Sequence, residues 1–120
     1  MVVDDRLINQ GDIYWADLPP PRGSEPGYYR PVIVVQQTAL NNLGDIDTVI
    51  CVPLTTNVRL ASAPGNVLVS PKQSGLPKAS VANVSQTLKV EKRLLKDYVS
   101  TVPWKVLEDV LDGVDFMLGR

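Results

Sequence analysis

The spacing of apolar residues predicts a series of short strands followed by a helix. At residues 13–18, Ile13, Trp15 and Leu18 alternate with Tyr14, Ala16 and Asp17, the period-2 pattern of a half-buried strand. Pro19, Pro20 and Pro21 end it, because proline has no N–H to donate and a fixed φ. A polar loop over residues 22–29 leads through Arg30-Pro31 into Val32-Ile33-Val34-Val35, four β-branched residues that read as a buried strand. Residues 38–44 form a connector with room for a short helical turn. Residues 47–54 predict a third strand covered on both faces, stopped by the polar cluster Thr55-Thr56-Asn57. Residues 61–65 are turn-rich, 66–70 read as a fourth strand, and 71–77 as a loop. Residues 80–86 alternate, with the odd spacing of Val81 and Val84 suggesting a bulge, and 88–90 continue the pairing.

The period then changes. Residues 92–99 predict a short helix. Ser100 or Thr101 is placed to cap a longer one with Pro103 in its first turn. In that helix Val106, Leu107, Val110, Leu111, Val114, Met117 and Leu118 recur at steps of three and four, opposite Glu108, Asp109, Asp112 and Asp115. Gly113 is expected to weaken it by about 1 kcal/mol relative to alanine. Strands followed by helices make an α+β chain, and residues 1–120 are expected to form one domain.

Composition narrows the chemistry. There is no histidine, which excludes an imidazole base, a Ser-His-Asp triad and His-ligated zinc. The single cysteine, Cys51, sits in an apolar run and reads as buried filler. Asp45 and Asp47 fall beside Gly44 and read as solvated turn residues rather than metal ligands. No apolar run approaches the ~20 residues that span a bilayer, and the start of the chain is acidic, so a soluble cytoplasmic protein is expected. The net charge is −1, but residues 57–100 hold seven basic and two acidic groups, a net +5 between acidic ends. That distribution permits a local surface for a polyanion, and equally an ordinary solvated face.

Arg30 is the candidate reactive residue. It stands where a loop meets a stiff strand, with Glu25 close in sequence. The same two residues also suit a plain surface ion pair.

The pattern GDIYWADL…RGSE…RPVIVV resembles the opening of the MazF/PemK/Kid family of toxin endoribonucleases. The likeness continues at Val52-Pro53-Leu54-Thr55-Thr56 and at Ser80-Val81-Ala82-Asn83-Val84-Ser85-Gln86, followed by Val90-Glu91-Lys92. It implies a small SH3-like β-barrel with a C-terminal helix (the CcdB/PemK-like toxin fold), paired as a homodimer. It implies an endoribonuclease that cuts single-stranded messenger RNA without metal or cofactor, and a MazE-like antitoxin as partner. By the resemblance, Arg30 and Thr55 are catalytic and Glu25 is the carboxylate of the GSE motif. A guanidinium is a poor base, so Arg30 suits charge neutralisation of the phosphorane, with Glu25 as the base. The RNA-binding candidates are Tyr28, Tyr29, Thr56, Asn57, Asn83, Ser85, Gln86 and Lys89. Asn83 and Ser85 stand where one branch of the family carries catalytic Arg and Asp, and Leu88 where many relatives have Arg. Two other readings compete: a CcdB-like gyrase poison without catalysis, and a binding module of the same fold.

Overall fold

The computed structural model describes residues 7–23 and 27–120. Seven strands and three helices follow in the order β1 (Asp12–Leu18), β2 (Tyr28–Val34), α1 (Thr38–Asn41), β3 (Thr48–Thr55), β4 (Val67–Val69), α2 (Pro71–Ser74), β5 (Ser80–Ala82), β6 (Leu88–Glu91), β7 (Leu95–Thr101) and α3 (Trp104–Met117). The sheet is antiparallel, in the order β4-β5-β3-β2-β1-β7. Strand β3 is long enough to take two partners on its outer edge. Its first half pairs with β6 and its last two residues with β5. This divided pairing curls the sheet into a half-barrel closed by α3.

Both faces of the sheet are buried. Ile13, Ile33, Val52 and Leu54 face α3, meeting Val106, Leu107 and Val110. Tyr14, Ala16, Val32, Val34, Val49 and Cys51 face the other way, under Val90 and Leu95. The expected one-sided strand at residues 13–18 is therefore buried on both sides, because β6 and the start of β7 fold over its second face. Trp15 is only partly buried, at the rim of the first cluster. Cys51 is fully buried, which pushes its thiol pKa up and leaves it filler rather than nucleophile.

Four other expectations are corrected. Residues 92–99 are not a helix: Lys92–Leu94 make one 3₁₀ turn, and Leu95 begins a strand on the outer edge of β1. Backbone pairing with β1 overrides a weak helical pattern. Neither Ser100 nor Thr101 caps α3, since both lie in β7. Pro103 precedes the helix, and its carbonyl accepts from the N–H groups of Val106 and Leu107. The loop expected at residues 71–77 contains α2, started by a capping box in which Ser70 and Gln73 satisfy each other's backbone N–H. The suspected bulge near Val84 is the end of β5 passing into a 3₁₀ turn, Val84–Gln86.

Gly113 has a packing role that its effect on helix propensity conceals. It is buried, and a Cβ there would stand 2.0 Å from the carbonyl oxygen of Gly65. Helix α3 lies directly against the turn that leads into β4.

Candidate active site

The turn into β2 sets the position of Arg30. Tyr28 has φ of +60°, the one positive φ at a non-glycine among the described residues. Such a conformation costs about 1–3 kcal/mol and concentrates at functional sites. Gly27 is packed on Pro21, where a Cβ would meet the Pro21 backbone nitrogen at 2.5 Å, so the neck of the β1–β2 loop is closed. The Arg30 Nε–H donates to the Gly27 carbonyl at 3.1 Å, which fixes the side chain to its own turn. Tyr29 stacks on Trp15 with ring centres 5.1 Å apart and planes 13° from parallel. Its hydroxyl donates to Asp97 Oδ2 at 3.0 Å, tying β2 across β1 to β7. Partial burial raises the Tyr29 pKa, as do the hydrogen bond to Asp97, the charge of Asp97 and the charge of Asp17.

Strand pairing brings Thr55 to Arg30. Val32 pairs with Pro53 across the β2–β3 ladder. That is the last pair of the ladder; Arg30 and Thr55 lie beyond it on β2 and β3, and both line the same cleft. Thr55 Oγ1 accepts from the Asn57 backbone N–H at 3.2 Å, so its hydroxyl hydrogen is free to point outward.

A cleft of about 320 Å³ opens here. Arg30, Thr55 and Thr56 line it together with Trp15, Leu54, Leu76, Pro77, Lys78 and Ser80. By strand alternation Trp15 and Leu54 belong to the face under α3, and Arg30 and Thr55 to the opposite face. All four line the one cleft. Two cations and no carboxylate line it among the described residues, which suits an anion.

A second cleft, of about 710 Å³, borders the other face of the sheet. Ser85, Gln86 and Lys89 line it, opposite Pro19, Pro20 and Arg22. The expected RNA contacts thus fall in two groups. Thr56 joins Arg30 and Thr55, with Tyr29 alongside on Trp15 and Tyr28 exposed at the turn. Ser85, Gln86 and Lys89 lie apart. Asn57 and Asn83 line neither cleft. Asn57 caps the 3₁₀ turn Val58–Ser62 through Arg59 N–H. Asn83 Oδ1 accepts from Asn66 Nδ2 and from Ser85 Oγ. Glu25 lies outside the described residues.

Sequence reasoning missed Trp15, Lys78 and Ser80 as cleft residues. Trp15 passed as part of a core pattern. Lys78 and Ser80 follow α2, whose segment 71–77 reads as loop in the sequence; the positive charge of residues 57–100 is the signal at Lys78, and Ser80 opens the motif at residues 80–86.

The family model described as "PemK-like, MazF-like toxin of type II toxin-antitoxin system" matches residues 9–118. The chain belongs to this family. Endoribonuclease MazF6 of Mycobacterium tuberculosis is 40% identical over 108 residues, covering 90% of this chain and 94% of that protein. MazF from Deinococcus radiodurans has the same fold, with a TM-score of 0.79 at 22% identity over 97% of this chain and 100% of that one. An endoribonuclease in complex with its cognate antitoxin, from a mycobacterial species, matches with a TM-score of 0.70 at 24% identity over 94% of each chain. The matches bear out the resemblance of the motifs and do not favour the CcdB-like alternative. No helix among the described residues is long and apolar enough to cross a membrane.

Proposed function

We propose that this chain is the toxin of a toxin–antitoxin pair: a sequence-selective endoribonuclease that cuts single-stranded messenger RNA in the cytoplasm. The 2′-hydroxyl attacks the adjacent phosphorus, the bond to the 5′-oxygen breaks, and the products are a 2′,3′-cyclic phosphate and a free 5′-hydroxyl. The reaction develops negative charge on the non-bridging oxygens, and a positioned guanidinium neutralises it without a metal. Arg30 takes that role and protonates or stabilises the leaving 5′-oxygen. Thr55 donates a hydrogen bond to the same phosphate. Glu25 takes the proton of the 2′-hydroxyl. One observation carries the reading: Arg30 and Thr55, on adjacent strands, line one cleft in which Lys78 is the other charged residue among those described.

The second cleft extends the reading. An RNA strand passing over the rim would meet Ser85, Gln86 and Lys89, and Tyr28 is exposed to stack on a base near the turn. The protein works as a homodimer, and its antitoxin blocks the same surface with an acidic segment that matches the cations there.

The test is cleavage of naked RNA by the purified protein in a chelator, with both ends mapped. Discrete cuts ending in cyclic phosphate are expected. Arg30→Ala should lose at least about 10²-fold in rate while remaining folded, the size of effect seen when one transition-state donor is removed. Undiminished cutting by Arg30→Ala, or no cutting by the unaltered protein, removes the proposal.

A further inference from the structure

The cleft beside Arg30 is more apolar than phosphate binding requires. Trp15, Leu54, Leu76 and Pro77 form its walls, and Lys78 and Ser80 supply polar groups. Its volume, about 320 Å³, is near the lower end of the ~300–1,000 Å³ of ligand pockets, so it suits one small planar group.

Trp15 is held in place more firmly than a partly exposed tryptophan needs to be. Tyr29 covers it on one side, and the Tyr29 hydroxyl is anchored by Asp97. Asp97 reaches across because β7 is irregular opposite Trp15. Tyr14 pairs with Tyr98 and Ala16 with Leu95, which leaves Lys96 and Asp97 against the single residue Trp15. An extra residue of this kind bends a strand and re-aims its side chains, and such bulges recur beside active sites. The result is a fixed two-ring shelf, and the part of the indole not covered by Tyr29 is a wall of the cleft.

We propose that this cleft is a nucleobase slot. It takes one unpaired base, attached to the nucleotide next to the phosphate held by Arg30 and Thr55, and stacks it on Trp15. Lys78 and Ser80 stand at the base edge, where they contribute to the choice of cleavage sequence. The inference rests on the ribonuclease reading above. A base fits better than an apolar peptide side chain for two reasons. The shelf is flat and pre-stacked, which favours a planar π-system. The slot is also continuous with the phosphate position, and every phosphate in RNA has a base within one nucleotide.

The chain has two tryptophans, and Trp104 is exposed at the start of α3, away from both clefts. Trp104→Phe therefore leaves Trp15 as the only tryptophan reporter. The experiment titrates this variant with a 2′-O-methyl oligoribonucleotide carrying the mapped cut site. It follows Trp15 emission together with the anisotropy of a dye on the RNA end. Emission should be quenched along the same binding curve as the anisotropy. An abasic nucleotide on one side of the scissile phosphate should abolish the quench. Trp15→Ala should weaken RNA binding by roughly 5- to 150-fold, the loss of one base–aromatic stack, with Trp15→Phe recovering most of it. RNA that binds and is cut while Trp15 emission stays unchanged, or is quenched equally by every abasic oligonucleotide, overturns the slot and leaves the nuclease reading standing. A Trp15 response to an acidic apolar peptide but not to bound RNA assigns the cleft to a protein partner and likewise overturns it. Absence of both RNA binding and cutting overturns slot and nuclease reading together. The emission arm uses the native Trp15, so it does not depend on the alanine variant folding.

Discussion

Gly113→Ala sets two effects of opposite sign against each other. In an exposed helix, alanine is favoured over glycine by about 1 kcal/mol. At this position the added Cβ would stand 2.0 Å from the Gly65 carbonyl oxygen, 3.1 Å from its carbonyl carbon and 3.2 Å from Val84 Cγ1. Real Cβ atoms essentially never come within 3.0 Å of such a neighbour, so α3 and the turn must part by about 1 Å. The turn cannot yield alone. Gly65 has φ of +85°, and its own Cα already faces the Gly113 carbonyl closely enough that a Cβ there would be 3.2 Å away. Forced overpacking costs about 1–3 kcal/mol, and a gap of 0.5–1 Å forfeits a quarter to a half of each dispersion contact along the seam. The steric term wins, with a net loss of about 2 kcal/mol. For a chain of this size that lowers the melting temperature by roughly 5–10 °C. The assay is thermal and urea unfolding at one fixed protein concentration, because self-association would make the midpoint concentration-dependent. Asp112→Ala, at the exposed neighbour, is the control and should stay within about 0.5 kcal/mol of the parent. A Gly113→Ala protein as stable as the parent, or more so, would refute the close approach of helix and turn.

Two further predictions concern the site. The folded-state pKa of Tyr29 is raised above its ordinary value, so the stability it contributes is complete below the unfolded pKa of ~10 and is lost as pH rises through the folded value. Absorbance titration should show Tyr29 ionising later than a free tyrosine, and Asp97→Asn should bring it back toward ~10; ionisation at or below that value in the unaltered protein would refute the Asp97 anchor. Beside Lys78 at the proposed base edge, three cations line the clefts, Arg30 in one and Arg22 and Lys89 in the other, so the slope of log K against log salt for single-stranded RNA should be about −2 per chain. Lys89→Ala should reduce that slope by about 0.7, and a slope near zero would mean that these cations do not meet the RNA backbone.

The parts of the molecule legible in the sequence are those in which one short segment specifies its own structure. Val32–Val35 had to be a buried strand, and the amphipathic repeat of residues 104–117 had to be a helix. Arg30 was legible as a candidate where a loop meets a stiff strand, and Thr55 only through its match to a family motif. Their meeting in one cleft was not legible, since it depends on β2 pairing with β3. The misread segments are those whose structure depends on distant partners. Leu95–Thr101 is a strand only because β1 offers it an edge, and Gly113 matters only because Gly65 lies against it. Trp15 belongs with these. Its place in an alternating strand suggested core, and its role as a cleft wall comes from Tyr29 in the next strand, Asp97 across the β7 irregularity, and the approach of Leu76 and Pro77 after α2. Single motif residues can therefore be read from local sequence, whereas the proposed base slot is assembled from four separate segments and leaves no local signature. Relatives that share Arg30 and Thr55 but differ at the positions of Trp15, Lys78 and Ser80 should then perform the same cleavage at different sequences.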